Sequence, residues 1–251
     1  MTPDWTPLRR ELAQWRKSGL SLPIWWRDDD AIAPTPELER LEALSRDTGV
    51  PVHLAIIPQG ATRALARGLS PRFIPVVHGW GHHNHAPHGQ KKAEFAAGRA
   101  EADLRADLMA AMARMRTLFG AALAPMFVPP WNRLGPGALP VVGLAGFDAV
   151  STYLPRKSAM PVPGLVQINT HIDPIFWRGT RGLVPPDTLV AQTVSLLRDR
   201  RQGRADRDEP LGYLTHHLVH DADIWEFSRQ FLTELGNGPV DLYRHDEKDL
   251  K

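Results

Sequence analysis

The chain has 251 residues, of which 30 are Lys or Arg and 28 are Asp or Glu, giving a formal net charge of +2. This length fits one large domain with a sizeable core, and so small a positive surplus gives no reason to expect nucleic acid as a partner. The chain has no cysteine. It can therefore form no disulfide, and any metal ion would have to be held by His, Asp or Glu.

The N-terminal residues predict an amphipathic helix, because charged residues alternate there with spaced Leu and Trp. A signal peptide would have a continuous apolar core, and no later window resembles a membrane span. We therefore expect a cytoplasmic protein with no membrane partner. The expected organisation is an N-terminal helix in residues 1–21 packed on a main domain of residues 22–236, with a C-terminal tail in residues 237–251.

Short apolar runs alternate with helical patterns along the main domain. Strands are predicted at residues 22–26, 52–57, 73–77, 124–128, 149–153, 165–169 and 211–215. Helices are predicted at residues 36–49, 61–69, 91–119, 187–201 and 222–235. This alternation is typical of an α/β fold with a mainly parallel sheet, either open or closed, and we expect a (β/α) barrel.

Acidic, imidazole or aromatic side chains follow the ends of several predicted strands. Because the carboxyl ends of parallel strands meet at one rim, these segments are expected to line one pocket. The segments are residues 28–30, 78–85, 129–131, 171–173 and 216–217.

The first of these segments is an acidic triplet, Asp28 to Asp30. Three adjacent aspartates can form a solvated turn or a helix N-cap. Trp25 and Trp26, however, place the triplet at the end of a buried strand. Carboxylates buried there need a cation, and a metal ion could supply it.

The second segment is dense in histidine, with His78 and His82 four residues apart. It could be an exposed cluster without function. Gly79 and Gly81 disfavour a helix, so a loop that presents two metal ligands is the better interpretation. A catalytic metal commonly takes three protein ligands, so His85 is expected to be exposed or to orient the loop.

The last two segments are less specific. Pro129, Pro130 and Trp131 could form only a rigid turn, or a stiff aromatic wall suited to a sugar ring. Side chains alternate along a strand, so at most one of His216 and His217 faces the pocket.

The order of these motifs resembles that of the polysaccharide deacetylases, the NodB-homology group of carbohydrate esterases. The similarity spans residues 22–221 and rests on the aspartate pair, His78-x-x-x-His82, the Pro-Pro-Trp turn and a late strand ending in histidine. It implies a distorted (β/α) barrel of about seven parallel strands as the catalytic domain. It also implies removal of acyl groups, usually N-acetyl, from amino sugars with zinc or a similar divalent ion.

The resemblance also implies roles for individual residues. Asp28 would be the general base and Asp29 the metal ligand, together with His78 and His82. A shifted register, with Asp29 as base and Asp30 as ligand, is the alternative. On the substrate side, Pro130 would line the substrate pocket and the backbone N–H of Trp131 would hold the oxyanion. His216, or alternatively His217, would be the general acid.

The chain departs from the family pattern at three positions. Asp30 stands in place of a glycine, Gly79 in place of Ser or Thr, and Val128 in place of an arginine that pairs with the base. Arg27 or Arg133 would have to replace that arginine. Asp173 is a candidate partner for the acid histidine.

Three functions are consistent with these features. The first is a metal-dependent hydrolase that removes an N-acetyl group from an amino sugar, oligosaccharide or polysaccharide. The second is a metal-dependent amidohydrolase acting on a non-sugar amide or cyclic imide. The third is an inactive carbohydrate-binding domain, which Val128 in place of the arginine would explain.

Overall fold

The computed structural model describes residues 3–245, which form an eight-stranded sheet with helices packed around it. The strands are β1 (Leu22–Ala31), β2 (Val52–Ile56), β3 (Phe73–His78), β4 (Met126–Val128), β5 (Ala149–Val150), β6 (Val166–Gln167), β7 (Leu211–Thr215) and β8 (Val240–Leu242). The helices are α1 (Thr6–Lys17), α2 (Pro36–Thr48), α3 (Arg63–Arg67), α4 (Glu101–Phe119), α5 (Ala138–Leu144), α6 (Pro186–Arg201) and α7 (Ala222–Gly236).

The strand order is β6-β5-β4-β3-β2-β1-β7, every pair is parallel, and β8 adds to the first residues of β1. The segment after β6 approaches β7 and curls the sheet towards closure. There the His171 N–H donates to the Gly212 carbonyl at 2.8 Å, and the Leu214 N–H donates to the Ile172 carbonyl at 2.8 Å. The expected fold, a distorted α/β barrel of about seven parallel strands, is confirmed.

Two apolar clusters lie on the two faces of the sheet. Trp25, Val76 and Val128 belong to the smaller cluster, which fills the barrel interior. Their chain neighbours Trp26 and Val77 belong to the larger one, between the sheet and the helices. The strict alternation of side chains along a strand produces this division, and it decides which polar side chains reach the interior.

The N-terminal segment contains α1, whose apolar stripe packs beside α6 and α7. Leu8, Leu12 and Trp15 are buried, and the Trp15 indole N–H donates to the Leu197 carbonyl at 3.2 Å. Within residues 3–245, no helix is both long enough and apolar enough to cross a membrane.

Several predicted boundaries were wrong. α4 begins at Glu101, ten residues later than expected, because the preceding loop is pinned by the pairing of Phe95 with Leu134. α5 was not predicted, since Pro140 and Gly143 interrupt its pattern. The expected tail contains β8, and its residues 246–251 lie outside the described part of the chain.

Candidate metal centre and active site

The acidic triplet lies inside β1, not after it, and an irregularity in the strand separates its three side chains. The pairing of β1 with β2 shifts between Asp28 and Ala31, and Asp30 has a φ of 78°. A bulge of this kind turns a side chain out of the regular alternation. As a result Asp28 faces the helices, whereas Asp29 and Asp30 both face the rim of the barrel.

Asp30 meets the two histidines that follow β3. Its Oδ1 lies 3.1 Å from His78 Nε2 and 3.4 Å from His82 Nε2. Among residues 3–245 these three side chains form the one group of His and acidic residues whose ligand atoms all lie within 4.8 Å of one another. The carboxylate expected beside the histidines was that of Asp29, and the carboxylate that lies there is that of Asp30.

The hydrogen bonds of this cluster leave lone pairs facing one another. His78 Nδ1 lies 3.1 Å from the Val128 carbonyl oxygen, which can only accept, so this nitrogen carries a proton. In the neutral ring, Nε2 then has a lone pair directed at Asp30. Asp30 Oδ1 is buried and has no hydrogen-bond partner among the described residues. Two ring nitrogens around an orphaned carboxylate oxygen are a donor set that suits a divalent cation.

The electrostatics of the cluster also favour positive charge. Burial opposes the charged form of His78, but the negative charges of Asp29 and Asp30 outweigh it and raise the pKa of His78. Burial likewise opposes ionisation of Asp30, yet its contact with His78 keeps the pKa of Asp30 below the ordinary value. The pKa of His82 is lowered by burial and by His78, so His82 favours the neutral form that a metal ligand needs.

Asp29 is held by a buried arginine. Arg27 Nε donates to Asp29 Oδ1 at 2.9 Å, and Arg27 Nη2 donates to Asp29 Oδ2 at 3.0 Å. The guanidinium, fully buried, also donates to Ser151 Oγ and Asn132 Oδ1, both at 2.6 Å. A two-point pair of this kind fixes the position and orientation of the carboxylate. Arg27 therefore pairs with a carboxylate, as the arginine expected at position 128 would have done and as Val128 cannot. Arg133 does not take this role, since it donates to the Lys92 carbonyl.

Asp28 forms a separate buried pair on the helix side of the sheet. It accepts from Thr215 Oγ1 at 2.6 Å and from the His217 backbone N–H at 3.0 Å, and its Oδ1 contacts His217 Nδ1. Burial opposes the charge on each partner, but their attraction lowers the pKa of Asp28 and raises that of His217. This pair anchors the end of β7 to β1, and neither member faces the cluster of Asp30, His78 and His82 from the interior.

His216 faces the barrel rim, on the opposite side of β7 from His217. Its Nε2 lies 3.9 Å from Asp29 Oδ2, and its ring packs edge-on against Trp177 at 4.8 Å. Its buried Nδ1 has no hydrogen-bond partner within residues 3–245. Asp173 accepts from Trp177 Nε1 at 2.8 Å, and burial raises the pKa of Asp173. The expected pairing of Asp173 with the acid histidine is thus indirect, through Trp177.

The Pro-Pro-Trp segment forms a one-turn 3-10 helix, Pro130–Asn132, at the end of β4. Trp131 and Asn132 have φ values of 56° and 57°, and the Trp131 ring lies 4.3 Å from the His82 ring. Left-handed conformations at such residues carry strain and are concentrated at functional sites. The turn therefore places an aromatic wall beside the candidate metal ligands, as expected. His85, by contrast, is exposed and contacts the loop through its backbone.

Sequence reasoning missed several side chains that support the site. Ser151 and Asn132 hold Arg27, and Glu94 binds the loop that carries His82. Nothing local in the sequence identifies Ser151 or Glu94. Asn132 directly follows the predicted turn, and that position is the one signal that could have identified it.

Solved structures of known proteins share this fold. A putative polysaccharide deacetylase from Mycobacterium smegmatis aligns with a TM-score of 0.62 at 15% identity, over 88% of this chain and 86% of that one. A family 4 carbohydrate esterase from Streptomyces lividans, in complex with acetate, aligns at 0.56 and 14%, over 88% and 91%. A pseudoenzyme of the same esterase family from Bacillus anthracis aligns at 0.56 and 11%, over 92% and 65%.

The chain therefore has the fold of the family 4 carbohydrate esterases and polysaccharide deacetylases, at low sequence identity. No family model and no curated protein matches the sequence. The resemblance expected from the motifs is confirmed for the fold.

Proposed function

We propose that the protein is a metal-dependent hydrolase that removes an N-acyl group, in the first place acetyl, from an amino sugar or oligosaccharide. The observation that carries this proposal is the buried Asp30 oxygen facing the Nε2 atoms of His78 and His82 at the barrel rim. The shared fold supports it, since the solved relatives include a carbohydrate esterase with bound acetate.

Asp30, His78 and His82 would hold the cation, and zinc suits a set of two imidazoles and one carboxylate. When bound, such an ion supplies a Lewis acid for the amide carbonyl and acidifies a nearby water molecule. Val128 fixes the tautomer of His78 through its carbonyl oxygen, so that Nε2 is free to coordinate. Supporting contacts of this type commonly raise metal affinity by about 10–100-fold.

Asp29 takes the role of general base in this proposal. It is buried and held at both oxygens by Arg27, and it lies next to the cation site along the chain. It would accept a proton from the water whose oxygen forms the new bond to the carbonyl carbon. The backbone N–H of Trp131, on the turn beside His82, is proposed to stabilise the developing oxyanion.

His216 takes the role of general acid. When the carbon–nitrogen bond breaks, the leaving amine needs a proton, and His216 Nε2 lies at the rim 3.9 Å from Asp29. General acid–base residues contribute about 10²–10⁴-fold to rate. Trp177 packs against His216 and orients its ring, and Asp173 holds the Trp177 indole in turn.

Separate substitutions of Asp29 and Asp30 test this assignment. Because Asp30 would be a ligand, Asp30→Asn should weaken zinc binding, measured by calorimetry, by about a hundredfold or more. Because Asp29 would be the base, Asp29→Asn should retain zinc but lower acetate release by about 10²–10⁴-fold. If Asp29→Asn lost the metal and Asp28→Asn lost turnover, the original register would hold and this assignment would be wrong.

Substrate class is tested by measuring acetate release from chitooligosaccharides and from small acyclic and cyclic amides. Release from the oligosaccharides supports a sugar deacetylase, and release from the small amides alone would move the function to a non-sugar amidohydrolase. The pseudoenzyme among the solved relatives makes a third outcome relevant. Zinc binding without turnover of any substrate would contradict a hydrolase and indicate a binding domain.

A further inference from the structure

The loop that follows β3 and carries His82 is held by the carboxylate of Glu94. Glu94 Oε2 accepts the Trp80 backbone N–H at 3.0 Å. Glu94 Oε1 accepts the N–H groups of Gly81 at 2.8 Å and of His83 at 3.2 Å. These donors immediately precede and follow His82, so the carboxylate binds the backbone on both sides of a candidate ligand.

The loop is not regular secondary structure and does not satisfy these N–H groups itself. Gly79 and His82 both have φ values of 59°. Left-handed residues turn successive N–H groups towards a common point and create a small concave site for an anion. Glu94 supplies that anion, and its hydrogen bonds hold His82 in a left-handed conformation that non-glycine residues rarely adopt.

The carboxylate of Glu94 is buried and depends on these donors. Glu94 is 1% exposed, and the neighbouring Arg99 pairs with Asp107 and donates to the Glu94 backbone carbonyl, not to its side chain. A buried carboxylate without a counter-ion is costly unless several hydrogen bonds satisfy it. The three backbone N–H groups therefore satisfy the buried carboxylate, and the carboxylate in turn stabilises the loop conformation.

Gly79 leaves the space in which the carboxylate lies. A Cβ at this position would lie 2.1 Å from Glu94 Oε2 and 2.5 Å from Pro130 Cγ. The loop backbone, the carboxylate and the turn that carries Trp131 thus meet at one point without a gap. A side chain at position 79 would therefore displace the Glu94 carboxylate or the turn that begins at Pro130.

The segment that carries Glu94 is itself anchored on both sides. The Ala93 N–H donates to Asn84 Oδ1 at 3.0 Å, and the Gly135 N–H donates to the Phe95 carbonyl at 2.7 Å. Phe95 is fully buried and packs edge-on against Phe127 of β4, with ring centroids 5.0 Å apart. Glu94 is therefore presented from a rigid support and not from a mobile side loop.

We infer that Glu94 is a positioning residue for the metal centre, acting through the loop backbone to hold His82 where it can meet His78 and Asp30. The inference rests on the proposed metal-binding function of these three residues. Glu94 itself touches none of the reacting atoms.

Three measurements on Glu94→Ala test the inference. Zinc affinity by calorimetry is expected to fall by about 10–100-fold, the range for residues that orient a ligand. The visible spectrum of the cobalt-substituted protein should change in shape, because the ligand geometry changes. Hydrogen exchange of the metal-free protein should accelerate at the amides of Trp80, Gly81 and His83.

Conservative and control variants separate positioning from general stability. Glu94→Gln keeps one acceptor oxygen and the volume, so it should restore part of the zinc affinity and of the cobalt spectrum. Glu11→Gln removes a buried carboxylate that pairs with Arg201 on the far side of the fold. It should lower stability while leaving zinc binding and the exchange of the loop amides unchanged.

The outcomes distinguish this inference from the proposed function. Wild-type zinc affinity and unchanged loop exchange in Glu94→Ala would overturn the positioning role. If the wild-type protein binds no zinc, the proposed function fails, and the inference fails with it as a statement about metal. Faster exchange confined to the three amides, together with weaker zinc binding, supports both.

Discussion

At the scale of single residues, the site is built from a few strained or buried positions. Six non-glycine residues among those described have positive φ, and four of them are Asp30, His82, Trp131 and Asn132. Asp30 and His82 belong to the candidate metal cluster, Trp131 packs against His82, and Asn132 holds Arg27. Strained backbone conformations persist where surrounding contacts impose them. Here the contacts of Glu94, of Arg27 and of the turn at Pro130–Asn132 impose them.

The residues of the site could be predicted as a group from the sequence, but their individual roles could not. The motif order predicted that Asp28, Asp29, Asp30, His78 and His82 meet at one rim, and all of them except Asp28 lie there. The register within the triplet depends on the bulge in β1, and no local pattern in three identical residues shows where a strand is irregular. The two adjacent histidines differ from the aspartates in this respect. The regular alternation of side chains already predicted that at most one of His216 and His217 faces the interior.

The first prediction concerns Arg27 and stability. Arg27→Met removes the partner of buried Asp29 and should lower the free energy of unfolding by about 3–5 kcal/mol, measured by urea denaturation. Arg27→Lys should also destabilise, since an ammonium cannot replace the two-point contact. Adding Asp29→Asn to Arg27→Met should recover part of the loss, because the uncompensated charge is gone.

A surface arginine provides the control for this prediction. Arg229 pairs with Glu226 in an exposed contact, and Arg229→Met should change stability by no more than about 1 kcal/mol. Equal effects of Arg27→Met and Arg229→Met would mean that the buried pair does not constrain Asp29.

At the scale of elements, long periodic segments were predicted well and short or pinned ones were not. The helices near residues 36–48 and 222–236 follow clear apolar spacing and capping signals. β5 and β6 have two residues each, so the strands predicted at residues 149–153 and 165–169 were in the right place but too long. The segment of residues 91–100 has helix-forming composition, but Phe95 and Glu94 are fixed by contacts far away in sequence, and tertiary contacts override propensity.

The second prediction concerns the contact that curls the sheet towards closure, at Gly212 in β7. A Cβ there would lie 2.5 Å from the Asn169 carbonyl oxygen and 2.6 Å from both Thr170 Cα and Trp25 Nε1. Gly212→Ala must therefore push β7 away from the segment after β6. We expect a loss of at least about 1–3 kcal/mol in unfolding free energy by urea denaturation.

Gly236, the last residue of α7, is the matched control. A Cβ at Gly236 would meet nothing within 4 Å, and alanine is favoured over glycine in a helix by about 0.5–1 kcal/mol. Gly236→Ala should therefore be neutral or slightly stabilising. A similar response at Gly212 would show that the two sheet edges are not in close contact.

At the scale of the whole molecule, the two ends of the barrel are sealed differently. The rim holds the candidate active site, and the opposite end is covered by the residues that follow β8. There the His245 backbone N–H donates to His53 Nε2 at 3.0 Å, and His245 Nε2 contacts Asp148 Oδ1 at 2.7 Å. From the sequence this segment was predicted to be a tail, because a strand of three residues and a single contact between two distant histidines give no periodic pattern.

The last prediction follows from the protonation of His53. Its Nδ1 lies 3.3 Å from the Trp26 carbonyl oxygen, so Nδ1 carries the proton and Nε2 accepts from His245. Burial, together with the electrostatic effect of the neighbouring His245 imidazole, lowers the pKa of His53 from 6.5 to about 3. His53 therefore binds a second proton less well in the folded state than in the unfolded chain. As a result the free energy of unfolding starts to fall below pH 6.5 and keeps falling as the pH approaches 3.

A non-titrating variant isolates this contribution. His53→Gln can donate and accept at similar points without gaining charge, so between pH 7 and 4.5 it should lose about 2–3 kcal/mol less unfolding free energy than the wild type. Exposed His88 provides the control, and His88→Gln should follow the wild-type curve. Parallel curves for His53→Gln and the wild type would contradict the neutral buried imidazole. A smaller loss in the variant would show that the end of the barrel opposite the active site limits stability in acid, because protonated His53 can no longer accept the His245 N–H.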